Sequence, residues 1–236
     1  MRRLLSCGAL GLALSACVTA PRSTPPTPAA PVAPAAPSAE PASVPALVAA
    51  IQQDASLSEH VSDSATRAAL AADADRDSQA CLERDPQSAA CLYARAVALG
   101  LTARVHPAQA GELLGSMLDN LARADAADPG YDEAGPARVR ALVLTRAPGW
   151  PLGPGDPEAA VVAARRAVML RPHYPPNLLA LAEAMARAGD EVGARANYAR
   201  AHDAALALPD SADRGEWLHQ AELGLLRRAD EGALRR

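Results

Sequence analysis

From Ser62 to the end of the chain, apolar and polar positions alternate with a helical rather than a strand-like period. Alanine, leucine, arginine and glutamate dominate, β-branched runs are absent, and turn residues return at regular intervals. The pattern, together with a short apolar stretch just before Ser62, predicts helices over 46–56, 64–84, 87–104, 107–127, 131–146, 157–170, 175–188, 190–207 and 211–233. Some starts carry their own mechanism. Asp156-Pro157-Glu158 offers an N-cap, a proline suited to the first helical position and an early acid, and Gly189-Asp190-Glu191 offers a stop followed by the next cap.

Helical periodicity alone fits any α-bundle, and a second, longer period narrows the choice. Pro86, Pro129 and Pro172 each close a predicted helix and stand 43 residues apart both times. Five residues before each lies a small residue, Cys81, Ala124 or Ala167, and Ala201 follows Ala167 by 34 residues. Small residues that let helices approach, with a proline ending the second helix, are the tail of a tetratricopeptide (TPR) repeat. In the last unit Leu178 and Leu181 take the large positions, Ala182 the small one, and Ala194, Tyr198 and Ala201 the positions of the second helix. The two earlier units are nine residues longer, an excess expected between their two helices; in the second unit it is Ala147–Gly155. The expected fold is all-α: a TPR-like helical-hairpin solenoid with long inter-helix insertions. Its C-terminal capping helix, 211–233, carries Trp217, Leu218, Leu225 and Leu226 on its apolar side.

The first 45 residues read differently. Met1-Arg2-Arg3, an apolar run from Leu4 to Ala13 and Leu14-Ser15-Ala16-Cys17 match a lipoprotein signal peptide ending in a lipobox. Residues 1–17 are therefore expected to be the signal, with Cys17 as the lipid-attachment residue; a plain secretory signal with a chance cysteine is the alternative. Val18 in place of an aspartate tilts the expected location toward the outer membrane, facing the periplasm. Residues 18–45 hold nine prolines among Ala, Ser and Thr, a composition that buries no core and makes a semi-rigid disordered tether of ~3.1 Å per residue. The folded domain is expected over 46–236.

A net charge of −4, with arginines interleaved among acids, is a solvated surface rather than a nucleic-acid patch. Cys81 and Cys91 are expected to form a disulfide contributing on the order of 2–3 kcal/mol; two buried free thiols are the alternative. No catalytic motif stands out, and His60, His106, His173, His202 and His219 lack metal-ligand spacing, so neither an enzyme, a metal site nor a cofactor is expected. The candidate partner- or ligand-binding residues are Tyr93, Arg138, Arg140, Trp150 and Asn177. Trp150, framed by Pro148 and Pro151, reads either as a lid or interaction anchor or as a plug folded into its own hairpin. Arg138 or Arg140 is a candidate for meeting an anionic group on the concave surface, a surface salt bridge being the ordinary role of either. Tyr93 and Asn177 are candidates to line the same face, and packing accounts for Tyr93 equally well.

Several of these segments run in a familiar order: Gly135-Pro-Ala-Arg138, Arg146-Ala-Pro-Gly-Trp-Pro151, Gly155-Asp156, Ala167-Val-Met-Leu-Arg-Pro172 and Pro176-Asn-Leu-Leu-Ala-Leu-Ala-Glu183. Over about residues 130–205 the chain resembles the T component of TRAP-type (tripartite ATP-independent periplasmic) transporters, departing from that pattern at Ala141 and Leu144, where a glycine and a tyrosine are usual. The resemblance implies a lipid-anchored helical-repeat accessory that binds a periplasmic solute-binding protein and holds a small ligand in its groove; an oligomer is compatible with it. The rival expectation is a structural TPR adaptor in an outer-membrane or cell-wall assembly.

Overall fold

Side-chain caps begin most of the helices. Ser43, Asp63, Ser88, Asp156, Asp190 and Ser211 each accept a hydrogen bond from the backbone N–H three residues on, at 2.7–3.4 Å. The computed structural model describes residues 42–234, with side chains to Leu226. The expected signal peptide, Cys17 and most of the tether lie outside the described residues. The helices are α1 (Val44–His60), α2 (Ser64–Arg84), α3 (Ala89–Val105), α4 (Ala110–Ala127), α5 (Tyr131–Arg146), α6 (Pro157–Leu170), α7 (Pro175–Arg187), α8 (Glu191–Leu206) and α9 (Ala212–Leu234). None is long and apolar enough to cross a membrane.

Three features differ from the sequence reading, the simplest being that α1 runs on to His60 rather than ending at 56. Val44 and Pro45, read as the end of the tether, are the first residues of α1, because Ser43 caps it and proline is tolerated in a first turn. The extra length of the first long unit is not a loop: α3 and α4 are joined by His106 and a 3-10 turn, Pro107–Gln109, and α3 itself reaches 17 residues against 13 in α7. In the second unit the excess is the expected connection ahead of α6.

The 43-residue period has a backbone counterpart. Asp85, Asp128 and Arg171, which end α2, α4 and α6, share nearly one conformation, with φ/ψ of −145°/88°, −148°/98° and −140°/80°. Each donates its N–H to the carbonyl of the small residue four positions back, Cys81, Ala124 or Ala167, at 2.9–3.0 Å. The proline that follows bars its predecessor from the helical region, so all three helices stop in the same place. Those small residues and Ala201 are wholly buried.

Every helix packs on its neighbours in sequence. In addition α1 touches α3, α3 touches α5, α5 touches α7 and α7 touches α9, whereas among the described residues no even-numbered helix packs on another. The core is a chain of linked apolar clusters rather than one centre, built around Ile51 and Leu101, Leu92 and Leu121, Leu144 and Leu181, and Leu178 with Ala221. Cys81 and Cys91 form a disulfide with Cα atoms 5.3 Å apart, joining the end of α2 to the start of α3. On α9, Ala221 is buried and Trp217, Leu218 and Leu225 are half-buried; Leu226, read as part of the apolar side, is exposed. Gly224 lies against the Tyr198 ring, where any Cβ would collide with it.

Candidate functional site

Helix α5 does not begin as an ordinary helix. Asp132, Glu133 and Ala134 adopt φ values of 49°, 54° and 65°, one left-handed turn without a glycine in it. For L-residues this costs on the order of 1–2 kcal/mol each, so neighbouring groups must hold it. The right-handed course resumes at Gly135-Pro136. Gly135 is required there: a Cβ would stand 2.7 Å from Asp132 Oδ2 and 3.0 Å from the Tyr93 hydroxyl.

The holding group is Arg138, 8% exposed. Its Nη1 donates to the carbonyls of Asp132 and Glu133 and to Asn177 Oδ1, each at 3.1 Å, and Nη2 donates to Asp132 Oδ2 at 2.8 Å. Its guanidinium lies 5.3 Å from the centre of the Tyr174 ring. Tyr93 on α3 donates its hydroxyl to the same Asp132 carboxylate at 2.9 Å. Asn177 on α7, wholly buried, donates to the carbonyls of Glu133, Ala167 and Arg171 at 3.0, 3.2 and 3.4 Å. Burial raises the Tyr93 hydroxyl far above its ordinary value, and the Asp132 charge adds to it. Tyr131 is raised by the same two causes in the same order, and Tyr174 is raised chiefly by burial.

Tyr93, Arg138 and Asn177 are thus brought together from three helices, but they spend their hydrogen bonds on one another, on the left-handed turn and, for Asn177, on the exit of α6. The cluster is a lock between α3, α5 and α7. Asp132, Glu133 and Tyr174, which complete it, were not singled out from the sequence; the 43-residue spacing of Tyr131 and Tyr174 is the signal that would have found the last.

The other two candidates lie apart from the lock. Arg140 is exposed, on the opposite side of α5. Trp150 is 90% exposed at the tip of the α5–α6 connection, so it does not plug its own hairpin. The connection is tied to itself, with Gly155 N–H donating to Pro148 O and Asp156 N–H to Leu144 O, both at 2.9 Å, and Leu152 N–H to Gly149 O at 3.1 Å. The Trp150-Pro151 peptide is cis.

At the end of α5 where that connection leaves, a groove of about 670 Å³ opens between α5, α7, α8 and α9. Thr145, Arg146, Glu183, Arg187, Tyr198 and Gln220 line it. Arg146 and Glu183 form a two-point ion pair across it, Nε to Oε1 at 2.8 Å and Nη2 to Oε2 at 2.7 Å. The bond to Glu183 raises the Arg146 guanidinium above its usual value. Arg187 is exposed at the same end. Among the described residues no group of three His, Cys, Asp or Glu side chains is placed to hold a metal ion.

No known protein-family model matches the chain, and no curated protein shows a significant match to it.

Proposed function

We propose that this chain is a lipid-anchored, periplasm-facing, TPR-like repeat protein that binds another envelope protein, the first candidate being the solute-binding protein of a TRAP-type transporter. The observation that carries the binding role is the groove between α5, α7, α8 and α9: open, and lined by charged and hydrogen-bonding side chains together with Leu179, Ala186 and Leu223. Mixed polar lining of this kind suits a protein surface, whereas small-molecule sites are mostly apolar and enclosed. Three further features support the repeat reading: the thrice-repeated helix exit, the buried small residues at its register and the contacts confined to neighbouring and odd-numbered helices. The Cys81–Cys91 disulfide fits an oxidising compartment, and the lipobox supplies the anchor.

The test is co-purification from envelope extracts with the full-length protein as bait. Recovery of a solute-binding protein, lost on reversing charge in the groove, supports the reading; repeated failure to recover one counts against it. The second reading, a structural adaptor for an assembly complex, is favoured by the groove being open and polar rather than a closed apolar tunnel. TRAP permease genes beside this one would favour the first, and envelope-biogenesis genes the second.

A further inference from the structure

The α5–α6 hairpin carries both halves of a knob-and-hole contact, and we propose that Trp150 of one copy of this chain seats in an apolar hole on the outer side of α5 in a second copy. The knob is the connection from Ala147 to Gly155. It holds no charged residue, and its internal hydrogen bonds keep the tip from folding back, so Trp150 and Leu152 stand out into solvent. A rigid, projecting tryptophan is the residue type that most often anchors an interface.

The hole, of about 280 Å³, lies between α4, α5 and α6. Pro136, Ala137, Ala159, Val162 and Ala163 line it. It falls below the ~300–1,000 Å³ usual for small-molecule sites, and suits one aromatic side chain. Two arginines border it. Arg166 is held by Asp125, with Nε–Oδ distances of 2.8 and 3.1 Å. Arg140 makes no ion pair or side-chain hydrogen bond among the described residues, which leaves its guanidinium free to lie over an indole face. Charge is complementary as well: Glu158, exposed at the foot of the knob, is opposite in sign to Arg140 beside the hole.

The second copy, rather than an unrelated protein, follows from the two halves belonging to one surface. Val162 and Met169, largely exposed and seven residues apart on α6, add apolar surface beside the hole on the same hairpin, with Arg166 between them. In a two-fold pairing each copy gives one knob and receives one, so every contact is made twice. The inner groove is not used, and this proposal stands or falls separately from the partner reading.

Native mass spectrometry of the full-length protein released from detergent micelles tests it, using wild type, Trp150→Ala, Ala163→Trp to fill the hole, and Arg140→Glu. Wild type is expected as a dimer, with association at least ~10-fold weaker in Trp150→Ala, as for a hot-spot tryptophan. Ala163→Trp and Arg140→Glu should weaken it in the same direction. Trp150 sits on an exposed connection, so its variant keeps the fold even where the filled hole does not. In a Trp217→Phe background the emission of Trp150 should move to the blue as copies associate and return on dilution. A monomeric wild type, or an assembly unaffected by Trp150→Ala, overturns the proposal; so does a Trp150 that is shielded only in a complex with a different protein.

Discussion

A guanidinium withdrawn from water destabilises a fold unless its donors find acceptors, and Arg138 finds four within 3.1 Å, three of them on the left-handed turn. Arg138→Met should therefore cost about 3 kcal/mol or more, read as a lowered thermal midpoint. Arg138→Lys should recover little, since an ammonium lacks the planar fork that reaches several acceptors at once. The handedness of the turn makes a second expectation unusual. Ala134→Gly relieves a left-handed L-residue, a gain of about 1–2 kcal/mol offset in part by the loss of a methyl buried on Ala167, and should raise stability by less than about 1 kcal/mol, whereas Ala137→Gly, three residues later in right-handed helix, should lower it by about 1 kcal/mol or more. Differential scanning calorimetry of the pair checks the sign. Alkaline stability belongs to the same cluster. Tyr93, Tyr131 and Tyr174 hold their protons more tightly folded than unfolded. The unfolded chain therefore loses protons first as pH rises past about 10, and stability falls above that pH. Tyr93→Phe should flatten this fall in denaturant titrations across pH 9–11. The convergence of Tyr93, Arg138 and Asn177 was foreshadowed by their polar chemistry on inward-facing helices. Their satisfaction by one another was not, because Asp132-Glu133-Ala134 holds no glycine to announce a left-handed turn and only Gly135-Pro136 hints at a break.

At the scale of elements, the helix ends were the most legible feature, since caps and prolines act through local sterics that the sequence states outright. Ala167 is the sharpest check on the register: it is wholly buried against Ala134 and Ala137, and its carbonyl accepts from Asn177 and Arg171. Ala167→Arg should overpack that contact and destabilise the chain well beyond the ~1 kcal/mol of a surface change; an unchanged melting temperature would contradict the register. The recurrence reaches into side-chain chemistry. Arg95, 43 residues before Arg138, also reaches sideways, donating to Asp75 and Ser78 of α2. What local pattern could not supply was where length is absorbed. The excess of the first long unit went into longer helices because the alanine- and leucine-rich run through α3 holds no proline and a single glycine, Gly100. That of the second stayed a loop because prolines and glycines crowd Ala147–Gly155. The outward stance of Trp150 depends on hydrogen bonds within that loop, which composition does not disclose.

Across the whole molecule the two proposed contacts use opposite sides of α5, and each can be removed alone. Arg187→Glu should weaken recovery of the groove's partner several-fold in co-purification while leaving the melting temperature within about 1 °C, since an exposed charge away from buried contacts contributes little to folding. The joint between α5 and α7 has a consequence for how such a chain can change in length. Rows of hairpins are commonly lengthened or trimmed by whole units, because one greasy joint resembles the next. Here every hydrogen-bonding partner of the Asn177 amide, from Glu133 to Arg171, lies between the start of α5 and the turn into α7. Excising that hairpin would strand a wholly enclosed amide with nothing to bond. The unit therefore cannot be dropped without also replacing Asn177.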